Sequence, residues 1–185
     1  MKKLFKKEQI FTVPNLLSLL RLLMIPVIIW LYGEKQNPYA AAAMIVLSGI
    51  TDVADGIIAR RFGLVSDLGK ILDPVADKLT QAALIYCLIA RYDGMFWLLL
   101  LFAAKEIVMG ISGLVIIKKK DVVNSAQWFG KLATVVLYAV MFLLFLFPAI
   151  QETVVNIMIL ACAGTILLSM VKYLLFYKKL LKQGA

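Results

Sequence analysis

Long apolar runs divided by short polar breaks set the pattern of this chain. The runs fall at roughly 16–32, 39–60, 73–90, 95–117, 128–148 and 153–177. Each is near the ~20 residues that an α-helix needs to cross the hydrocarbon core of a bilayer. The breaks are Gly33 to Pro38, the 61–72 segment, Arg91 to Gly94, Lys118 to Gln127 and a short interruption around Pro148. Connections this short make neighbouring helices antiparallel. The pattern predicts an all-α, polytopic membrane protein with six transmembrane helices, residues 1–185 forming a single integral membrane domain.

Composition agrees with that reading. Of the 185 residues 63% are apolar, against roughly 45–50% in a soluble domain. The first apolar run follows Met-Lys-Lys-Leu-Phe-Lys-Lys and Pro14-Asn15 without a small-residue cleavage site, so it reads as a retained span and not a signal peptide. Cys87 and Cys162 lie inside apolar stretches with no partner spacing, which indicates neither a disulfide framework nor a thiolate metal site; both read as core filler. The chain has no histidine, so the usual general base is missing and acid–base work falls to carboxylates.

The net charge of +9 suggests nucleic acid at first sight. The cations, however, gather at the ends of apolar segments and not along an aromatic-studded polar face, which is the distribution that membrane topology produces. Lys2, Lys3, Lys6, Lys7, Arg60, Arg61, Lys70, Lys118, Lys119, Lys120, Lys178, Lys179 and Lys182 fall on one side, and Lys35 and Arg91 on the other. Cytoplasmic loops retain positive charge, so both termini are expected in the cytoplasm. Arg21, Lys78, Lys105, Lys131 and Lys172 remain inside spans or at their ends. Arg21 and Lys172 can snorkel to an interface. Lys105 stands about ten residues into the fourth span, ~15 Å deep, and is expected to face a wet or anionic interior while Glu106 points elsewhere on the helix. Pro26 permits a bend in the first span, and Gly110 and Gly113 a close approach in the fourth.

Against this background the stretch from Asp52 to Asp77 stands out. Asp52, Asp55, Gly56 and Ala59 recur at i, i+3, i+4 and i+7, one face of a helix bearing two acids and two small residues. Asp73 and Asp77 stand at i and i+4, with Gly69 one turn earlier if the helix extends back that far. The first pair closes the second span and the second pair opens the third, so each face is expected roughly 6–8 Å below the cytoplasmic surface and the four carboxylates are expected to converge. Converging anions in a poorly solvated site require bound cations or protons. Oxygen donors without His or Cys favour Mg²⁺, Mn²⁺ or Ca²⁺ over zinc, and such an ion suits a pyrophosphate substrate. One carboxylate left less tightly coordinated is placed to take a proton from an attacking hydroxyl. Two other readings stay open on these residues: an interfacial ion network with Arg60, Arg61, Lys70 and Lys78, and a pathway for divalent-cation transport.

The string Asp52-x2-Asp55-Gly56-x2-Ala59-Arg60-x8-Gly69-x3-Asp73-x3-Asp77 resembles, in every fixed residue and every gap, the signature of the CDP-alcohol phosphotransferases. The resemblance covers most of the chain, because six spans and a cytoplasmic N-terminus are similar too. It implies that Asp52, Asp55 and Asp73 hold divalent metal, Mg²⁺ or Mn²⁺, and that Asp77 is the general base and also touches metal. Gly56, Ala59, Arg60 and Gly69 would line the site of the CDP moiety. The implied activity moves a phosphatidyl group from CDP-diacylglycerol to an alcohol with release of CMP, on the cytoplasmic face of the cell membrane, by a homodimer. No nucleic-acid partner is implied.

Pro14-Asn15, Leu72-Asp73-Pro74-x2-Asp77-Lys78 and Gly130-Lys131-x2-Thr134 are similar to the branch of that family whose acceptor is glycerol 3-phosphate and whose product is phosphatidylglycerophosphate. That branch usually carries an arginine before the glutamate of the fourth span and another after it; here Lys105-Glu106 stands there and no arginine follows. Lys105, Lys131 and Lys172, from three different spans, are expected to bind the acceptor phosphate as point charges. Phosphatidylglycerol, the acceptor in cardiolipin synthesis, also carries a phosphate, so these lysines do not separate the two. An inositol-phosphate acceptor is a further alternative.

Overall fold

The computed structural model describes residues 12–63, 66, 68–120 and 128–182. Every regular element among them is an α-helix. In chain order these are α1 (Val13–Gly33), α2 (Pro38–Phe62), α3 (Gly69–Ile89), α4 (Gly94–Lys120), α5 (Trp128–Leu146) and α6 (Glu152–Lys182). They follow the six apolar runs, with α3 extending back to Gly69. The cations at Lys2, Lys3, Lys6 and Lys7 lie outside the described residues, as does the loop 121–127.

Five of the six helices are long and apolar enough to cross a membrane; α3 is not among them. Its first ten residues include Lys70, Asp73, Asp77 and Lys78, which lower its apolar content below that of its neighbours. The protein is therefore a multi-pass membrane protein with five helices of spanning character, where the sequence pattern predicts six.

Helix ends are set by local chemistry. Thr12 caps α1, its side chain accepting from the Asn15 amide at 3.5 Å, with proline in the first turn. Asn37 caps α2 by accepting from the Ala40 amide at 3.0 Å, and Pro38 fills the first position, where a missing N–H costs nothing. At its other end α2 stops at Gly63, whose φ of 65° suits a residue without Cβ and whose N–H returns to the Ala59 carbonyl.

The packing divides the chain into two compact units, Met1–Cys87 and Leu88–Ala185. In the first, α1 packs along α2. The pattern is inverted relative to a soluble bundle: Asn15, Ser18 and Arg21 of α1 are buried, while Leu16, Leu19, Leu20 and Leu23 are exposed. Lipid solvates the leucines, so the interior is left to the polar face. Ala41, Ala42 and Ser48 on the buried face of α2 let the helices approach closely.

In the second unit α6 packs against both α4 and α5. Arg91, before α4, donates to the Pro148 carbonyl at 2.6 Å and so ties two turns together. Phe129 of α5 meets Tyr173 of α6 edge-on, ring centroids 4.6 Å apart. Cys162 here, and Cys87 at the end of the first unit, are free and buried, as a filler role requires.

A Cβ added at Gly130 would lie 2.6 Å from the Tyr173 hydroxyl and 3.0 Å from its ring. Gly130→Ala is expected to destabilise the α5–α6 contact by about 1–3 kcal/mol, as overpacking does. Gly164→Ala, which meets nothing within 4 Å, should be neutral or slightly stabilising. Thermal unfolding of the two variants in detergent checks the contrast.

Candidate active site

The site begins with the register of α1 on α2. Ser18 faces Asp55 and Arg21 faces Asp52, so residue numbers rise on one helix as they fall on the other, which is antiparallel pairing. One guanidinium then serves both acids of the α2 face. Arg21 Nη1 is hydrogen-bonded to Asp52 Oδ1, and Nη2 donates to Asp55 Oδ2 at 2.6 Å. The same Nη2 lies 3.9 Å from Asp73 Oδ1 of α3. Arg21 is only 2% exposed. It does not snorkel: three carboxylates from two helices hold it inside.

Ser18, one turn before Arg21, adds a hydroxyl to the same cluster. Its Oγ contacts the Pro14 carbonyl at 3.0 Å, Asp55 Oδ2 at 3.4 Å and Asp73 Oδ1. A hydroxyl donates one proton, so these acceptors share it. Asp55 is almost fully enclosed, whereas the side chains of Asp52 and Asp73 are 51% and 45% exposed. Two carboxylates of the cluster thus keep an open side.

Asp77 has partners on its own helix. Gln81, one turn on and buried, donates to Asp77 Oδ2 at 2.9 Å, and Lys78 Nζ lies 3.5 Å from the same oxygen. This carboxylate is oriented by its own helix. Of the cations Arg60, Arg61, Lys70 and Lys78 that an ion network would use, Lys78 lies beside Asp77, and the side chain of Lys70 lies outside the described residues; the cation that Asp52 and Asp55 share is Arg21, which periodicity within α2 and α3 does not reveal.

The residues expected at the CDP moiety fall into two settings. Arg60 curls back over Gly56, its guanidinium nitrogens 3.6 and 3.7 Å from where a Gly56 Cβ would stand. Ala59, between them on the chain, is half-buried. Gly69 opens α3 against α1: a Cβ there would lie 2.7 Å from Asn15 Oδ1 and 3.0 Å from Ser66 Oγ. Ser66 donates to Asn15 Oδ1 at 2.8 Å and accepts from the Gly69 amide at 2.9 Å. Asn15 and Ser66, which sequence reasoning did not place in the site, tie the start of α1 to the start of α3.

In the second unit the three lysines have different surroundings. Lys105 is 7% exposed and its Nζ binds Glu106 Oε1 at 2.6 Å, so Glu106 does not point away as the helix geometry suggests. Two long side chains on adjacent residues bridge the angle between them. Lys172 Nζ sits 4.7 Å from the Trp128 ring centroid, a cation–π contact. Lys131 is exposed.

The donor set of four carboxylates and a hydroxyl has the hard-oxygen chemistry that Mg²⁺ or Mn²⁺ requires. In geometry, no group of three or more acidic residues among the described residues stands ready to enclose an ion. The acids are gathered on Arg21 instead.

Comparison with known proteins adds an independent line. The sequence model of the CDP-alcohol phosphatidyltransferase family matches residues 11–170, a range that extends across both units. A cardiolipin synthase (CMP-forming) of Streptomyces coelicolor is 36% identical over 107 residues, covering 55% of this chain and 50% of that protein. A probable phosphatidylglycerophosphate synthase of Mycobacterium tuberculosis is 33% identical over 147 residues, 77% of this chain and 69% of the relative. A CDP-diacylglycerol–glycerol-3-phosphate 3-phosphatidyltransferase of Shigella flexneri serotype 5b is 31% identical over 172 residues, 89% and 93% respectively. This chain thus spans half the length of the Streptomyces protein and nearly all of the Shigella one.

The Asn15–Ser66–Gly69 contact generates a coupled prediction. Gly69→Ala is expected to push Asn15 off Ser66 and destabilise the protein by about 1–3 kcal/mol. In an Asn15→Ala background most of that cost should vanish, because the clash has gone. A double-mutant cycle of thermal unfolding measures this, and additive costs would break the proposed link.

Proposed function

The chain belongs to the CDP-alcohol phosphatidyltransferase family, and from that premise we propose that it moves a phosphatidyl group from CDP-diacylglycerol to glycerol 3-phosphate, releasing CMP. The observation that carries the reading is the meeting of Asp52 and Asp55 of α2 with Asp73 of α3 around one cation, on residues whose spacing is the family's signature. Residues 1–185 act as one catalytic domain, which the extent of the family match supports.

The reaction forms a P–O bond from the acceptor hydroxyl to the phosphorus bearing the lipid and breaks the bond from that phosphorus to CMP. Asp77, oriented by Gln81, takes the hydroxyl proton. Asp52, Asp55, Asp73 and Asp77 would hold divalent metal, Mg²⁺ or Mn²⁺, whose preference for hard oxygen ligands their carboxylates meet. Bound there, such an ion neutralises the pyrophosphate oxygens and the charge gathering on the leaving CMP. Arg60, with Gly56, Ala59 and Gly69, receives the CDP moiety.

Glycerol 3-phosphate is the acceptor that the relatives' extent supports. The phosphatidylglycerophosphate synthase and the glycerol-3-phosphate phosphatidyltransferase align over 77% and 89% of this chain, the cardiolipin synthase over 55%. Lys105, Lys131 and Lys172 bind its phosphate. The protein works as a homodimer in the cell membrane, with α3 as a sixth span, both termini in the cytoplasm and the site facing it; the cation asymmetry supports this orientation.

With CDP-diacylglycerol, Mg²⁺ or Mn²⁺ and a panel of acceptors, CMP release should be fastest with glycerol 3-phosphate. Preference for phosphatidylglycerol would convert the reading to cardiolipin synthesis, and no CMP with any acceptor would overturn the transferase reading. Excess EDTA should silence the enzyme. Asp77→Asn is expected to lower turnover by roughly 10²–10⁴-fold while largely sparing nucleotide binding; an equal loss of binding would make Asp77 chiefly a ligand. Lys105→Ala and Lys131→Ala should each raise the KM for glycerol 3-phosphate roughly tenfold, and an unchanged KM would remove them from the acceptor site.

A further inference from the structure

A carboxylate cluster among apolar helices must be neutralised at every stage, including before substrate or metal arrives. Here the neutralising group is Arg21, the one charged residue of α1. It binds Asp52 and Asp55 through separate nitrogens and stands 3.9 Å from Asp73. Its Nε is buried and has no hydrogen-bond partner among the described residues. A guanidinium installed purely as structural mortar would have its buried donors satisfied, since an orphaned buried N–H costs about 1–3 kcal/mol. Moreover, the oxygens that Arg21 occupies belong to carboxylates that the proposed reaction needs for metal.

Resting on the proposed metal role of Asp52 and Asp55, we infer that Arg21 is a built-in counter-cation that competes with divalent metal for these two carboxylates. In the metal-free protein it holds α1, α2 and α3 together against the repulsion of the acids. When a divalent ion binds, the guanidinium gives up oxygens of Asp52 and Asp55, and its N–H fork turns to other acceptors. Arg21 is thus a positioning residue that sets the metal affinity of the site. The half-exposed Asp52 and Asp73 offer the entry side for the exchange, while Asp55 stays enclosed with Ser18.

The test is Mn²⁺ binding to the intact protein in detergent, followed by the electron paramagnetic resonance of free Mn²⁺, for the native chain and Arg21→Gln. Removing the competing charge should tighten Mn²⁺ binding roughly tenfold or more. An unchanged or weaker Kd in Arg21→Gln, with Mn²⁺ still bound by the native chain, overturns the inference and leaves the metal reading standing. No Mn²⁺ binding by either protein overturns both.

A second measurement does not depend on how well Arg21→Gln folds. The chain has four arginines, Arg21, Arg60, Arg61 and Arg91, so ¹⁵N-arginine labelling yields few Nε resonances. The one lost in the charge-conserving Arg21→Lys belongs to Arg21. Mg²⁺ is expected to shift it over the same concentration range in which Mg²⁺ displaces bound Mn²⁺. A resonance that stays in place at saturating Mg²⁺ overturns the exchange.

Discussion

The grip of Arg21 on Asp52 and Asp55, with Asp73 close by, is the constraint on which the first unit depends. Buried ion pairs are poor sources of net stability, because desolvation offsets most of the attraction, and a well-packed apolar trio is often as stable. Removing one partner of such a pair, by contrast, costs about 3–5 kcal/mol. Net stability is therefore a weak reason for the cluster, and the proposed chemistry of the carboxylates is a stronger one. Once they are present, a cation in α1 becomes obligatory, and its place is dictated by the antiparallel register on α2.

Several smaller features follow from that register. The inside of α1 is polar along Asn15, Ser18 and Arg21 and turns apolar at Met24 and Ile28, so one end of the helix is committed to the acids and the other to ordinary packing. Asn15 needs an opening in α3, and Gly69 provides it. Gly63 ends α2 about two turns past Asp55. Asp77 is bonded by Gln81 and lies beside Lys78, both of its own helix. That division sets three carboxylates around one guanidinium and leaves the fourth, the proposed general base, bonded within its own helix.

The parts of this arrangement that were legible in the sequence are local ones. Apolar runs located all six helices because lipid imposes a long uniform signal, and the i, i+3 and i+4 spacings placed the acids on helix faces because helix geometry is local. Pairing between helices was not legible. Arg21 reads as a snorkelling residue until its register with Asp52 is known, and Asn15 and Ser66 are too short and common to signal a contact across α1 and α3. The Lys105–Glu106 pair was missed for another reason: a helical wheel fixes where Cα–Cβ bonds point, not where long side chains end. The spanning character of α3 is less legible than that of its neighbours, because the charges in its first ten residues lower the apolar content of the helix.

Each unit keeps a buried cation against a carboxylate of its own, Arg21 with the aspartates in the first and Lys105 with Glu106 in the second. An unpaired charge in an apolar interior is so unfavourable that the resting protein has to be internally paired. On the proposed roles, ligands would bind by exchange and not by addition: an incoming cation would displace a guanidinium from carboxylates, and an incoming phosphate would displace a carboxylate from an ammonium. Exchange returns only the difference between two ion pairs, which keeps ground-state affinity modest and leaves the larger electrostatic gain for charge that develops during reaction. It also explains why the acceptor is written so faintly in the chain. A lysine paired to a neighbouring glutamate looks complete by itself, and nothing in its spacing names the phosphate that would take the glutamate's place.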